Sequence, residues 1–361
     1  MNEKIQSAPD VSILRFCFGL CVLILCLLLA GCAEWKSRRN LPPAVSEQMA
    51  PTAAKKDFVR DGYYETIPPL PEKGYILEKL GKGVYFFSNG LYNNIFVVTP
   101  EGVVITDPIK GWGGQLKRAI KEVTSQPVKY MIYTHAHMDH IGDAHLFADG
   151  VQIVAHNETG WRLRRYKDPN RPVPHIGFGK NYTLTLGGTE IKLIYPGEGH
   201  GQGNIMIFLP QSKVLMFVDT AAPRAVPAKN FATTDIVGQM TGIQKALKLD
   251  FQTYVAGHYH RPGTRQEMEE ILKYYYSSRR ANIAALSKVK FKDVASRSKS
   301  KDIQRRMGEY RDAVAEQCYL MLKNQWRHRL MGFEAFARSH CDTWTTYHKT
   351  EKAPSVKKQA R

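Results

Sequence analysis

Four side chains able to bind a metal ion fall within six residues, His135-Ala136-His137-Met138-Asp139-His140, one residue after the apolar run Tyr130-Met131-Ile132-Tyr133. A helix-compatible stretch, Ile141 to Ala148, follows directly. A strand–loop–helix junction of this kind holds side chains rigidly and leaves them open to solvent. Imidazole and carboxylate together suit zinc, and also iron or manganese, better than calcium or magnesium. On a tight loop His135 and His137 can point the same way and share one ion. Asp139 and His140 begin the next turn and face a neighbouring position, so the spacing implies two ions a few ångströms apart.

Two ions need more donors, and each should follow a strand. His200 lies in Gly197-Glu198-Gly199-His200-Gly201, after the strand-like Glu190 to Tyr195; Asp219 ends Val214 to Val218; His258 follows Thr253-Tyr254-Val255-Ala256-Gly257. His200 and His258 are flanked by glycine, where backbone must approach closely. The remaining histidines, His145, His156, His175 and His260, lie outside any cluster and read as structural or solvated, with His260 the best placed of them for a contact near the metals.

The motif His-x-His-x-Asp-His, followed by separate His, Asp and His residues, resembles that of the metallo-β-lactamase superfamily over roughly Gly74 to Met268. The resemblance implies that His135, His137 and His200 hold a first metal, that Asp139, His140 and His258 hold a second, and that Asp219 bridges them. Asp107, closing Val103-Val104-Ile105-Thr106, matches an early aspartate that orients the ligand loop; an ordinary strand-ending turn residue is the equal alternative. The fold implied is an α/β, αββα sandwich, two sheets face to face with helices outside and metals at one edge.

Two zinc ions, with iron or manganese as substitutes, would lower the pKa of a shared water and polarise a substrate oxygen. Asp139 is the candidate catalytic side chain, able to orient that nucleophile or take its proton. The expected activity is hydrolysis of an ester, thioester, lactone, β-lactam or phosphodiester. Asp219 stands where the zinc β-lactamases of the family usually carry Cys or Ser, which favours the other hydrolases. A mononuclear iron persulfide dioxygenase and a non-catalytic metal-binding lipoprotein are the rival readings.

The elements around these residues follow from periodicity. Tyr75 to Phe87, Asn94 to Val98 and Gly102 to Ile105 read as an opening antiparallel sheet. Gly114 to Val123 reads as a helix and Val128 to Tyr133 as a strand. Gln152 to Ala155 and Thr183 to Tyr195 return to strand, and Ile205 to Leu209 with Lys213 to Val218 form a hairpin around Pro210-Gln211-Ser212. Gly238 to Leu249 is helical, and Thr253 to Val255 is the last strand. Helices are then expected over Thr264 to Leu286, Asp302 to Asn324 and Trp326 to Ala337, with Lys288 to Lys301 as a separator.

The chain therefore divides into a signal segment (1–31), a polar tether (32–72), a catalytic domain (73–263), a basic helical extension (264–348) and a disordered tail (349–361). Phe16 to Leu29 is apolar but short for a membrane span, and runs into Leu29-Ala30-Gly31-Cys32, which resembles a bacterial lipobox. Cys32 would carry lipid and fix the protein to a membrane of the cell envelope, facing the periplasm or exterior. Of the 6 cysteines, Cys318 and Cys341 remain as a pair for a disulfide. The net charge is +18, and from Arg261 onward 23 Lys and Arg stand against 11 Asp and Glu. That surplus suits anionic lipid or a surface polymer better than nucleic acid, for which no reading motif is present. A small molecule is the expected substrate.

Overall fold

The computed structural model describes residues 62–351. The signal segment and Cys32 lie outside the described residues, as do 352–361. Two sheets carry the frame. The first has seven strands in sequence order: β1 Ile76–Gly81, β2 Val84–Ser88, β3 Asn93–Thr99, β4 Gly102–Thr106, β5 Val128–Ile132, β6 Gln152–His156 and β7 Ile176–Phe178. β1 to β4 form an antiparallel meander, and β4 to β7 run parallel. The parallel crossovers hold α1 Gly113–Val123, the single turn α2 Met138–Ile141 and α3 Asn157–Tyr166.

The second sheet is ordered β13-β12-β11-β10-β9-β8, from β8 Asn181–Leu186, β9 Thr189–Ile194, β10 Met206–Leu209, β11 Val214–Phe217, β12 Thr253–Val255 and β13 Gly263–Thr264. α4 Ile236–Ala246 makes the crossover between the parallel β11 and β12. Four helices close the described residues: α5 Arg265–Lys288, α6 Phe291–Arg297, α7 Ile303–Trp326 and α8 Phe333–Thr350.

Strand alternation explains why both faces of each sheet are buried. Phe86, Ile95, Val97 and Val104 meet Ile207, Leu209, Val214 and Met216 between the sheets. Their neighbours Phe87, Phe96, Val103 and Ile105 pack outward on Leu116, Ala119 and Ile120 of α1. On the other side Met206, Phe208, Leu215 and Phe217 join Met240 and Ile243 of α4 with Tyr274, Tyr275, Trp326 and Trp344 of the closing helices. This is the expected αββα sandwich with a C-terminal helical region.

The expected elements need five corrections. The helix placed at Ile141 to Ala148 is instead the turn α2, which starts inside the metal motif, and a 3-10 turn at Ala144–Phe147. α3 and β7 were not foreseen, because α3 is polar and buries only Thr159, Gly160 and Leu163. Trp326 to Ala337 is not one helix: α7 ends at Trp326, and α8 starts after Gly332, whose φ of +71° breaks the run. The separator after α5 holds α6. The tether does not extend to 72, since Glu65 accepts hydrogen bonds from Tyr63, Tyr259 and Arg261 and is docked on the sandwich.

The extension is likewise no appendage. α5, α7 and α8 share a core with the second sheet, so no packing boundary falls at 263/264. Lys349 and Thr350, assigned to the tail, belong to α8, which continues to Thr350.

Cys318 of α7 and Cys341 of α8 form the anticipated disulfide, 23 residues apart in sequence. Replacing both with serine should lower the unfolding free energy by about 3 kcal/mol, the closure entropy returned to the unfolded chain. Urea unfolding of the double variant measures this, and an unchanged midpoint would show that the link adds no stability. Beside Cys341, the fully buried His340 accepts from Tyr274 Oη at 2.8 Å through Nδ1 and donates from Nε2 to the Ala228 carbonyl at 3.0 Å.

Burial pushes His340 down to about 4. A histidine in an unfolded chain titrates near 6.5 (about that value). The folded pKa is the lower one, so the contribution is intact above about pH 6.5 and is lost as pH falls towards about 4, reaching about 3 kcal/mol there. The slope of stability against pH should therefore be shallower over that window in His340→Gln than in the parent. Superimposable slopes would refute the assignment.

Candidate metal centre

Seven donors converge at one edge of the sandwich, each delivered by the end of a strand. β5 leads through Thr134 into His135, His137, Asp139 and His140. The loop after β9 brings His200, the residue pair after β11 brings Asp219, and the loop after β12 brings His258. Donor atoms of His135, His137, His200 and Asp219 lie within 4.8 Å of one another, and so do those of Asp139, His140 and His258. Asp219 touches both groups. Its Oδ2 is 3.0 Å from His140 Nε2, 3.3 Å from His200 Nε2 and 3.7 Å from His135 Nε2, while Oδ1 is 3.3 Å from His258 Nε2.

Backbone geometry makes this convergence possible. Asp219 takes a left-handed φ of +59°, which turns its carboxylate inward from the strand end. Gly257 must be glycine, since a Cβ there would stand 2.3 Å from Asp219 Oδ1 and 2.8 Å from His140 Cε1. The His258 loop is gripped from the first sheet: Asn93 N donates to Gly257 O, Asn93 Nδ2 to Ala256 O, and Tyr259 N to Leu91 O. The Tyr92 ring lies 4.4 Å from the His258 ring.

Three other contacts fix the donors. Asp107, fully buried at φ +36°, accepts from Thr134 N at 2.8 Å and from Thr134 Oγ1 at 2.5 Å. Thr134 Oγ1 is in turn 2.9 Å from His135 Nδ1. Its hydrogen being committed to Asp107, that oxygen accepts from Nδ1 and leaves the Nε2 lone pair facing the cluster. His200 is set the same way, with Nδ1 donating to Ala232 O at 2.6 Å. Arg171, buried, donates to Ala136 O at 2.6 Å and pins the motif loop.

The electrostatics suit a cation. Burial pushes His135 well below its ordinary value and His137 below, which keeps both rings neutral and able to donate lone pairs. Against its own burial, Asp219 is held well below the carboxylate range by His140 and His258. The same pairing, working against burial, lifts His140 to about 9. A proton on His140 is the smallest charge that can offset Asp219, and a dication would supply that charge and release the proton. Burial also raises Asp107, to about 6, although Thr134 opposes this.

The donor set fits a metal by a separate test. His135 Nε2, His140 Nε2 and Asp219 Oδ1 are buried and make no well-formed hydrogen bond among the described residues, facing only other atoms of the same cluster at 3.0 to 3.7 Å. Such orphaned groups would be costly unless an ion satisfied them. Of the other histidines considered, His156 caps α3 by accepting from Glu158 N, His175 accepts from Ile153 N, His260 lies tilted against the Tyr259 ring at 4.3 Å, and His145 is exposed.

Over residues 88–258 the chain matches the model of the metallo-β-lactamase superfamily. It is 30% identical over 226 residues to the 2,4-dinitroanisole O-demethylase subunit alpha of Nocardioides sp. (strain JS1661), covering 60% of this chain and 68% of that one. The chain belongs to the metallo-β-lactamase superfamily. Within the superfamily it is also 31% identical over 168 residues to the metallo-β-lactamase IND-1 of Chryseobacterium indologenes, a match spanning 45% of this chain and 65% of that enzyme, so less than two thirds of IND-1 is represented. The solved metallo-β-lactamase of Pontibacter korlensis aligns with 55% of this chain and 99% of its own at 24% identity and a TM-score of 0.48.

Of the contacts around this superfamily member's centre, sequence reading missed Tyr92, Asn93, Arg171 and Ala232. Asn93-Asn94 at the head of an otherwise apolar strand was the available signal for two of these contacts, because buried amides in a strand must be answering some backbone group. Nothing in the sequence marks Arg171 or Ala232.

Proposed function

We propose that the chain is a metal-dependent hydrolase with a dinuclear centre, His135, His137 and His200 holding one ion, Asp139, His140 and His258 the other, and Asp219 shared. The observation that carries this is the placement of one buried carboxylate 3.0 to 3.7 Å from four imidazoles. When bound, two dications supply a water activated near neutral pH and polarise the acceptor oxygen of the substrate. The chain's own residues do the rest. Asp219 neutralises charge between the two sites, and the Thr134 and Ala232 contacts hold His135 and His200 in the required tautomer.

Asp139 is half exposed, with Oδ2 3.7 Å from His140 and 4.0 Å from His258, where it can receive the proton that water gives up. Water's oxygen joins the electrophilic carbon or phosphorus, the bond to the leaving heteroatom breaks, and the proton passes to that heteroatom. Two findings support the reading: the family, and the completeness of both donor groups. Zinc is the metal best suited to the donors, with iron or manganese as substitutes.

Metal analysis of the purified full chain, together with turnover of an ester, a thioester, a lactone, a β-lactam, a phosphodiester and 2,4-dinitroanisole, tests it. The last is included because the Nocardioides relative is named for it. Two equivalents of metal with metal-dependent hydrolysis is the expected result. One iron per chain with oxygen consumption would replace hydrolysis by oxidation. Lipid anchoring through Cys32 is part of the same proposal, and Cys32→Ser should leave the protein unlabelled by palmitate, in an unprocessed or soluble form. Equal membrane retention with no acyl chain on the parent protein would end the anchoring reading.

A further inference from the structure

We infer that the metal centre opens into a chamber selective for the neutral, apolar portion of a substrate, and that Phe336 of the helical extension is a specificity-determining residue. This rests on the hydrolytic reading for its chemistry, though not for its binding. A cavity of about 410 Å³ has the donors at one end and is walled by Ala221, Ala222, Ala225, Val226, Phe231 and Phe336. The chain carries 51 Lys and Arg, yet none lines this cavity, and Asp139 and Asp219 are its sole carboxylates among the described residues. A charged group on the substrate, away from the reacting bond, would lose water there and gain no partner, a penalty of several kcal/mol. Apolar surface placed there is favoured by about 25 cal/mol per Å².

The alanines keep the chamber open and Phe336 gives it an aromatic face, with the wholly buried Phe231 backing the wall, so an aryl or short alkyl group fits. This wall is built, not incidental. Asn230, Phe231 and Ala232 run consecutively in the left-handed region, at φ +57°, +61° and +44°. Such a run persists only where its surroundings over-determine it. α8 supplies them: His340 stacks on Phe231 with ring centroids 4.1 Å apart and donates to Ala228 O, and Ser339 Oγ accepts from Asn230 N at 3.0 Å. Tyr275 of α5 stacks on the same Phe231 at 4.8 Å. Ala232, which ends the run, is also the acceptor for His200 Nδ1. Chamber wall and metal donor are therefore one mechanical unit, and α8 adds Phe336 to it directly.

The metal-loaded full chain provides the test, with binding and turnover read separately. Binding uses the neutral fluorophore N-phenyl-1-naphthylamine; turnover compares phenyl acetate with 4-carboxyphenyl acetate. The neutral ester should be preferred by about tenfold or more in kcat/KM, about 1.4 kcal/mol, with the difference residing in KM. Phe336→Ala should weaken fluorophore binding and raise KM for the neutral ester several-fold, whereas Phe336→Leu, which keeps apolar bulk, should restore most of both. Ala225→Lys should narrow or reverse the preference. Equal use of the two esters, or fluorophore binding indifferent to Phe336→Ala and Ala225→Lys, would overturn the inference. If neither ester is hydrolysed while the fluorophore binds and responds to both substitutions, the chamber stands and the hydrolytic reading falls.

Discussion

Asp219→Asn should cost the centre most of its metal and lower turnover by about a thousandfold, with the fold nearly unchanged. The carboxylate faces four imidazoles at 3.0 to 3.7 Å and is the one buried negative charge common to both donor groups. An amide in its place keeps the shape and one acceptor oxygen, but it brings an NH2 group that cannot face a cation. Asparagine is also the right replacement for the backbone: at φ +59° it is among the few residues that tolerate the left-handed region. Lost metal can then be attributed to charge. Elemental analysis after dialysis and a thermal melt decide the matter, and near-parental metal content and activity would mean that Asp219 is not shared between two ions.

Asp107 should prove nearly as demanding, through stability as much as chemistry. Asp107→Ala leaves the buried Thr134 N–H and Oγ1–H without their acceptor, a loss of about 3 kcal/mol. It also frees Thr134 Oγ1 to rotate, so His135 is no longer held with Nε2 facing the metals. Supporting contacts of this kind are worth about 10- to 100-fold in metal affinity. Asp107→Asn separates the two effects. It accepts the φ of +36° and retains an oxygen for Thr134 N, but its NH2 opposes the threonine hydroxyl. Competition with a chromophoric chelator should show weaker metal binding in the Asn variant, and chemical unfolding should show the larger stability loss in the Ala variant. Parental metal affinity in Asp107→Asn would reduce Asp107 to a strand-ending turn residue.

The seven converging side chains were legible in the sequence because they obey the same local rule: a short apolar, β-rich run, then metal-capable residues just past its exit. His200, Asp219 and His258 were found that way, and the order of ligands in the metallo-β-lactamase superfamily then grouped all seven. The sandwich was implied by the resemblance, and the same runs are consistent with it. What could not be read was the environment of the donors. Residues 221–232 are small or irregular and carry no period, and a left-handed run at Asn230-Phe231-Ala232 has no compositional mark beyond one asparagine. The closing helices were visible as helices, yet their amphipathic faces do not say which surface they meet. A positive charge surplus from Arg261 onward suggested a surface for anionic partners, whereas Tyr274, Tyr275, Trp326 and Trp344 are among the most deeply buried side chains of the described residues.

Synthesis runs from the N-terminus to the C-terminus, and domains generally fold as their residues become available. All seven donors precede α5, while Phe336, Ser339, His340 and Cys341 all belong to α8, the last described element. A growing chain thus completes its ligand set before it has made the side chains that hold residues 228–232 against His200. Until α8 arrives, that loop has no stacking partner for Phe231 from the helix, and the mouth of the centre has no aromatic far side. The chain acquires its reactive groups before the surface that screens what reaches them.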